Sequence, residues 1–274
     1  MNAIEIKNLS KHYRGFSLDD LNLTLPSGCI MGLVGENGAG KSTTIRMILC
    51  LTRPDSGEIT VFGQKMDQAL KQDIGVVLDE PGYPNCMNAR QIGKMLAGIY
   101  RNWEKDTFAG YLEKLNIPEH KPFKDFSKGM KMKLCLAAAL SHGAKLLILD
   151  EATSGLDPVM RDEILDIFND FTRNEQHSVL ISSHIVSDLE KICDYIAFLH
   201  KGRLMLCREK DELLNEYAFV QGGREEIDGL RPIGRRDGRF GTEAIVRRCD
   251  VPEGMKTSPI TIEELFIFMA KEEK

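Results

Sequence analysis

Continuous apolar runs alternate along this chain with segments of helical periodicity, and this pattern predicts an α/β fold. The runs at 30–34, 74–78 and 146–149 contain only apolar residues and glycine, as expected for strands that are buried on both faces of a sheet. The segments at 4–9 and 21–25 alternate apolar and polar residues, which is typical of strands with one solvated face. Further strands are predicted at 59–62, 179–182, 195–200 and 203–206.

Helical periodicity fills most of the stretches between these strands. It predicts helices at 42–50, 88–100, 104–115, 127–140 and 159–171. The second and third of these belong to a helical insert, and the predicted helical subdomain spans about 85–140. From Tyr217 onward, glycine and arginine become frequent and acidic residues are interspersed. Residues 217–274 are therefore predicted to be a small strand-rich accessory segment that ends in an apolar helix at 262–269.

Composition and charge exclude several classes of protein. The 274 residues suit one large α/β domain, or one domain with an appendage. The net charge of −5 argues against a dedicated nucleic-acid binder, so no nucleic-acid partner is expected. The longest uncharged apolar stretch, Leu134 to Leu140, is far shorter than the roughly 18 residues of a membrane span. Seven scattered cysteines without a C-x-x-C pair indicate reduced thiols in a cytosolic protein.

The segment from Gly35 to Thr43 has the G-x-x-x-x-G-K-S spacing of a phosphate-binding loop. It lies between a predicted buried strand and a predicted helix, which is the context that such a loop needs. Glycines let successive backbone amides point inward, and the helix adds its positive N-terminal end. Lys41 can reach the β- and γ-phosphates, and the Ser42 hydroxyl can bind Mg²⁺. The candidate nucleotide contacts are Gly35, Asn37, Gly38, Ala39, Gly40, Lys41, Ser42 and Thr43.

Ionisable residues follow two of the predicted buried strands. Asp150 and Glu151 close one apolar run, where a pair of charges is costly unless it has a function. Asp150 is therefore a candidate Mg²⁺ ligand opposite Ser42, and Glu151 is a candidate base that orients the attacking water. His184 lies just past a later strand and is a candidate γ-phosphate contact.

Three further residues each allow two interpretations. Asp79 follows the strand at 74–78, where α/β sheets place ligands, or it simply caps the next turn. Ser127 is placed as a helix N-cap, and that helix end either only begins the helix or also binds a phosphate. Tyr13 is either an aromatic residue at a strand edge or a ring that stacks on a nucleobase.

Taken together and in order, these residues resemble the ATP-binding subunit of an ABC transporter over about 4–217. The matching motifs are the base-stacking aromatic at Tyr13, Walker A at 35–43, the L-S-G-G-Q signature at 126–130, Walker B with the catalytic acid at 146–151, the D-loop at 154–157 and the switch histidine at His184. The resemblance implies a P-loop NTPase of ABC type in residues 1–216, with a mixed-sheet core and a helical subdomain, followed by a small C-terminal α+β appendage.

The chain departs from the family pattern in three of its motifs. Asp79 replaces the Q-loop glutamine, Lys128 and Met130 replace the second glycine and the glutamine of the signature, and Ala152 replaces the proline after the catalytic acid. With these departures the chain resembles ATPases of bacterial exporters of peptide antibiotics or peptide toxins, which pair with a separate membrane protein. The alternatives are an importer ATPase, a soluble ABC ATPase that acts on ribosomes or DNA, and a non-hydrolysing module that gates a partner.

The resemblance also implies a role for each site residue. Two such subunits, identical or different, associate head to tail, so that each ATP lies between Walker A of one chain and Ser127, Gly129 and Asp157 of the other. The implied catalytic residues are Glu151, His184 and Lys41, and the implied Mg²⁺ ligands are Ser42, Asp79 and Asp150. The other expected partner is an integral-membrane permease, which holds the chain at the cytoplasmic face of the cell membrane. The loop at 81–87, which begins near the nucleotide site, is predicted to receive a helix of that permease.

Overall fold

Strands and helices alternate through the chain in the computed structural model, which describes residues 1–79, 82–238 and 241–272. The first half contains β1 (Asn2–Tyr13), β2 (Phe16–Pro26), β3 (Ile30–Val34), α1 (Lys41–Ile48), β4 (Ser56–Val61), β5 (Ile74–Val77), α2 (Ala89–Ala97), α3 (Lys105–Lys114) and α4 (Lys128–Ala139). The second half contains β6 (Leu146–Asp150), α5 (Pro158–Thr172), β7 (Ser178–Ser183), α6 (Val186–Ile192), β8 (Tyr195–His200), β9 (Arg203–Glu209), α7 (Lys210–Glu216), β10 (Tyr217–Gly222), α8 (Arg224–Asp228), β11 (Gly234–Gly238), β12 (Gly241–Arg247), β13 (Thr257–Ser258) and α9 (Ile262–Glu272). Within the described ranges, every helix is too short or too polar to span a membrane.

A six-stranded sheet in the order β5-β6-β7-β3-β8-β9 forms the centre of the fold. Its first five strands run parallel, and β9 pairs antiparallel with β8. Every residue of β3, β6 and β7 is buried, because both faces of the sheet are covered. Parallel strands end at the same edge of a sheet, so the residues that follow β3, β6 and β7 meet there.

Two apolar cores lie on the two faces of the central sheet. Successive side chains of a strand point to opposite faces, and β3 follows this rule. Ile30 and Val34 belong to one core, which continues into the helices from α2 to α6 and into α9. Met31 and Leu33 belong to the other core, which α1 and the antiparallel sheet β2-β1-β4 cover.

Helices α2, α3 and α4 connect β5 to β6, where the sequence predicts a helical insert. Asn88 begins α2 with a capping box, in which Asn88 and Gln91 each accept a hydrogen bond from the backbone amide of the other. The helix ends at Ala97, earlier than predicted, because Gly98 follows and glycine is a poor helix former. Ser127 caps α4, as predicted.

The C-terminal residues form an antiparallel sheet in the order β11-β12-β10-β13, so their predicted strand-rich character is confirmed. The predicted apolar helix is α9, and it docks on the central part of the fold. The ring of Phe266 meets the ring of Phe198 in β8 edge-on, with centroids 5.2 Å apart. The amide of Ile262 donates to Glu190 Oε2 in α6 at 3.0 Å. The limits of the helical subdomain at about 85–140, and the boundary at 217, stay predictions.

Candidate active site

The loop between β3 and α1 has a backbone that glycines allow. Gly38 and Gly40 adopt φ values of 83° and 113°, a region that residues with side chains rarely occupy. An added Cβ at Gly35 would lie 2.4 Å from the carbonyl oxygen of Leu199, so a side chain does not fit there. Gly40 also precedes α1 without a capping side chain. The first amides of α1 are therefore available to a ligand in this loop.

The loop forms one wall of an open cleft of about 550 Å³. The cleft is lined by Gly15, Phe16, Glu36, Asn37, Gly38, Gly40, Lys41, Ser42, Thr43, Asp79 and Glu151. Lys41 is only 5% exposed, and its Nζ donates to the carbonyl oxygens of Gly35 at 2.7 Å and Glu36 at 3.3 Å. A compact positive charge is thus held within the curve of the loop, which suits the binding of phosphate.

Asp150 ends β6 as a buried carboxylate that two hydroxyl groups hold. Ser42 Oγ donates to Asp150 Oδ1 at 3.2 Å, and Ser182 Oγ donates to the same oxygen at 2.6 Å. Among the described residues this carboxylate has no cationic partner, although Asp150 is only 7% exposed. A buried charge without a counter-charge is costly, and Mg²⁺ prefers oxygen ligands of this kind. The Ser42–Asp150 pair therefore fits a magnesium ion. Ser182 was not predicted, since a lone serine in a strand carries no sequence signal.

Glu151 lies between a lysine and a histidine. Its Oε1 is 3.4 Å from Lys41 Nζ, and its Oε2 is 2.7 Å from His184 Nδ1. The backbone of Glu151 leaves the strand with a φ of 53°, and its amide donates to the carbonyl oxygen of Ser182 at 3.1 Å. The structure thus brings the three predicted catalytic residues into one cluster, in which Lys41 and Glu151 line the cleft and His184 contacts Glu151 from outside the lining.

Ser127, Gly129 and Asp157 lie at the N-termini of α4 and α5. Ser127 Oγ accepts a hydrogen bond from the Met130 amide at 3.2 Å, and Asp157 Oδ1 accepts one from the Met160 amide at 3.0 Å. Among the described residues, the cleft lining includes none of these three. Within one chain, Ser127 and Asp157 are therefore N-caps of two helices and Gly129 lies in the first turn of α4, rather than on the cleft wall.

The aromatic residue that lines the cleft is Phe16, which the sequence analysis missed. Tyr13 lies beside it, with ring centroids 6.5 Å apart and planes inclined by 28°. The ring of Tyr13 is 46% exposed, and Lys11 Nζ lies 5.6 Å from its centroid. Phe16 follows the tight turn at Gly15, where φ is 90°. An aromatic residue next to such a turn is the signal that could have identified it.

Asp79 is bonded to Lys128. Its Oδ1 lies 2.8 Å from Lys128 Nζ, and both side chains are about half exposed. Asp79 also lines the cleft. Its role as a metal ligand stays a prediction, since the contact it makes is with a lysine. The adjacent Glu80 and Pro81 lie outside the described residues.

The loop predicted to receive the permease is described from Gly82 onward. The ring of Tyr83 packs edge-on against Phe123, with centroids 5.7 Å apart. Burial raises the pKa of the Tyr83 phenol, since a phenolate is poorly solvated there. Cys86 is exposed. Tyr83 thus packs against the helical insert, whereas Cys86 marks the solvent-exposed part of the loop.

A buried ion pair, also not predicted, joins the start of α5 to α6. Arg161 Nη2 donates to the carbonyl oxygen of Leu156 at 3.2 Å, and its Nε lies 3.4 Å from Asp188 Oδ2. The side chain of Asp188 is only 4% exposed. Helix α6 begins two residues after His184, so this pair lies between the turn that carries Asp157 and the segment that carries His184.

Comparison with known proteins decides the family. The family model described as ABC transporter matches residues 18–154. The chain is 38% identical over 227 residues to the uncharacterized ABC transporter ATP-binding protein YhcH of Bacillus subtilis, and the match covers 78% of this chain and 72% of that protein. This chain belongs to the ATP-binding subunits of ABC transporters. Like other members of the family, it binds and hydrolyses ATP.

Further comparisons agree with this assignment. The ATPase is 37% identical over 212 residues to the bacitracin transport ATP-binding protein BcrA of Bacillus licheniformis, covering 74% of this chain and 68% of that protein. A solved structure of the ATP binding subunit of an ABC transporter matches with a TM-score of 0.69 and 27% identity, covering 77% of this chain and 91% of the other. The predicted family and the predicted ABC-type fold are confirmed. ATP-binding subunits of this family work with membrane permeases.

Proposed function

We propose that Glu151 is the catalytic base of ATP hydrolysis in this subunit. The observation that carries the proposal is the 2.7 Å contact between His184 Nδ1 and Glu151 Oε2, with Lys41 Nζ 3.4 Å from the other carboxylate oxygen. A carboxylate held at both oxygens on the cleft wall has a fixed orientation toward a water molecule that attacks the γ-phosphate. His184 orients Glu151, and Lys41 neutralises the charge of the β- and γ-phosphates.

Ser42 and Asp150 are the residues that would hold Mg²⁺. When bound, this ion supplies positive charge to the phosphate oxygens during their transfer. Support comes from the buried Asp150 carboxylate, whose partners in the described chain are hydroxyl groups rather than a cation. Asp79 is the third candidate ligand, and it would have to exchange Lys128 for the metal.

The remaining contacts belong to the ends of the nucleotide. Backbone amides of the loop from Gly35 to Thr43, together with the N-terminus of α1, hold the phosphates. The base stacks on the aromatic pair of Tyr13 and Phe16, because Phe16 lines the cleft and the Tyr13 ring is exposed beside it. Stacking of this kind accepts any base, since every base has a π-face.

Two copies of the chain associate head to tail around two ATP molecules. In this arrangement Ser127, Gly129 and Asp157 of one copy contact the ATP in the cleft of the other. The proposal is supported by their position outside the cleft lining of their own chain, among the described residues. Val159, in the first turn of α5, is 69% exposed, and an apolar side chain there suits a surface that is covered by a partner.

The subunit drives export of a peptide antibiotic or peptide toxin through a separate integral-membrane permease, at the cytoplasmic face of the cell membrane. The similarity to a bacitracin transport ATP-binding protein favours this cargo over import and over action on ribosomes or DNA. The loop around Cys86 is the surface proposed for the permease, because it is exposed and begins close to the cleft at Asp79.

A resistance assay tests this function. The chain and the membrane protein that co-purifies with it are expressed in a bacitracin-sensitive strain. We expect the bacitracin concentration that stops growth to rise, and to stay at its basal value when Glu151→Gln replaces the wild type. Unchanged resistance to bacitracin and to other peptide antibiotics, with a working ATPase, would contradict the proposed cargo.

A further inference from the structure

One side chain, Lys128, joins three segments of the nucleotide site. It is the first residue of α4, and its Nζ lies 2.8 Å from Asp79 Oδ1 at the end of β5. Its aliphatic stem passes over Gly155, where an added Cβ would lie 3.5 Å from Lys128 Cδ and 3.9 Å from Cε. The neighbouring Gly129 approaches Leu156, since an added Cβ there would lie 3.2 Å from Leu156 Cδ2. The N-terminus of α4 is thus tied both to the cleft and to the turn at 154–157.

The two paired residues flank α2 and α3, the first two helices of the insert. Asp79 lies two residues after the end of β5, and Lys128 begins α4, 49 positions later along the chain. Both positions depart from the family pattern, in which a glutamine and a glycine are usual. The two departures are complementary in charge, and the structure places them in contact. An isolated carboxylate on a cleft that binds a polyanion is unfavourable, and the lysine neutralises it.

We infer that Lys128 is a positioning residue, which fixes the turn of Ser127 and Gly129 relative to the end of β5 by its pair with Asp79. The inference rests on the proposed function of Ser127 and Gly129 as contacts of the nucleotide in a second copy. It predicts that removing either charge has the same effect as removing both, because one charge without the other stabilises nothing.

A double-mutant cycle in the full chain tests this coupling. The variants are Asp79→Asn, Lys128→Met and the two combined, with Lys128→Arg as the conservative rescue. The matched control is the pair of Asp73 and Lys145, which are 3.3 Å apart. They lie just before β5 and β6, at the edge of the sheet away from the cleft. The side chain of Lys145 is about as exposed as that of Lys128. Two quantities are measured, namely amide hydrogen exchange of α4 residues 130–132 without nucleotide, and kcat and KM for MgATP.

An exposed ion pair changes an equilibrium by about two- to fivefold, so this is the expected size of each effect. Lys128→Met should raise amide exchange by that factor and lower kcat, with KM for MgATP unchanged. Asp79→Asn also removes a candidate magnesium ligand, so its diagnostic effect is the same rise in amide exchange. The double variant should be no worse than the single variants, Lys128→Arg should restore both quantities, and the control pair should change neither. A merely structural role would lower the melting temperature without this split between kcat and KM.

Additive effects of the two substitutions, or exchange in Lys128→Met equal to wild type, would overturn the inference. The exchange measurement needs neither ATP nor a second copy. If the proposed head-to-tail arrangement is wrong, the substitutions should still show coupled effects on amide exchange but none on kcat. That result would overturn the role of Lys128 in catalysis, and it differs from a result in which Asp79 and Lys128 are not coupled at all.

Discussion

The hydroxyl of Ser182 contacts both acidic residues of the site, Asp150 and Glu151. Its removal is therefore a local test of how these two residues are held. Ser182 Oγ donates to Asp150 Oδ1 at 2.6 Å and accepts from the Glu151 amide at 3.2 Å. The residue is fully buried. The substitution Ser182→Ala removes one oxygen atom and keeps the Cβ, so the packing of β7 is retained and the loss is that of the hydrogen bonds.

The expected loss of stability follows from the charge of the acceptor. A hydrogen bond to a charged group contributes about 1.5–3 kcal/mol, and we expect the free energy of unfolding to fall by about 2 kcal/mol. For a protein of this size, about 1 kcal/mol corresponds to roughly 2–4 °C in melting temperature. Ser182→Ala should therefore melt roughly 4–8 °C below wild type.

Ser183→Ala is the matched control. Ser183 is equally buried, but its hydroxyl accepts from the neutral Ile185 amide at 2.9 Å, and a neutral bond is worth only about 1 kcal/mol. Melting is followed by circular dichroism with and without MgATP. Because a cation at Asp150 compensates for the lost donor, MgATP should narrow the gap between Ser182→Ala and wild type. Equal melting temperatures of the two serine variants would contradict the stabilisation of the Asp150 carboxylate by Ser182. So would a difference in melting temperature between Ser182→Ala and wild type that MgATP leaves unchanged.

Three further predictions follow from packing and protonation. Gly35→Ala should abolish ATP binding, measured by calorimetry, because its Cβ would lie 2.4 Å from a backbone carbonyl oxygen. Phe266→Ala should lower the free energy of unfolding in urea by about 3 kcal/mol, since it empties the contact with Phe198, whereas Ile267→Ala, 38% exposed, should cost less than about 1 kcal/mol. Burial lowers the pKa of His142, so the unfolded chain binds more protons and stability falls as the pH decreases. The stability advantage of wild type over His142→Gln should therefore shrink from about pH 7 to about pH 5, and a constant advantage would contradict this.

The central residues of the site could be predicted from the sequence because each of them lies at the carboxyl end of a predicted strand. Asp150, Glu151 and His184 follow parallel strands, and parallel strands end at one edge of the sheet beside the phosphate-binding loop. Ser182 could not be predicted in the same way. It matters because β6 and β7 pair with Asp150 opposite Ser182, and the register of two strands is not readable from either strand alone.

Contacts between residues that are far apart in the chain could not be predicted from the sequence either. The pair of Asp79 and Lys128 joins residues 49 positions apart, with α2 and α3 between them, so nothing local to either residue predicts it. Helices α6, α7 and α8 were not predicted, because each is seven residues or shorter and shows too little periodicity. In the C-terminal segment, the strand-rich character followed from composition, whereas the docking of Phe266 on β8 depends on tertiary packing.

ATP hydrolysis by Glu151→Gln shows whether Glu151 is the catalytic base. The amide keeps the size of the side chain and loses the base, so ATP affinity should stay within about threefold of wild type. General base catalysis contributes about 10²–10⁴-fold, and ATP turnover should fall by at least about 100-fold. Sedimentation velocity with MgATP should then show an accumulated dimer, while Glu163→Gln, on α5, should behave as wild type. Turnover by Glu151→Gln within about tenfold of wild type would contradict the account.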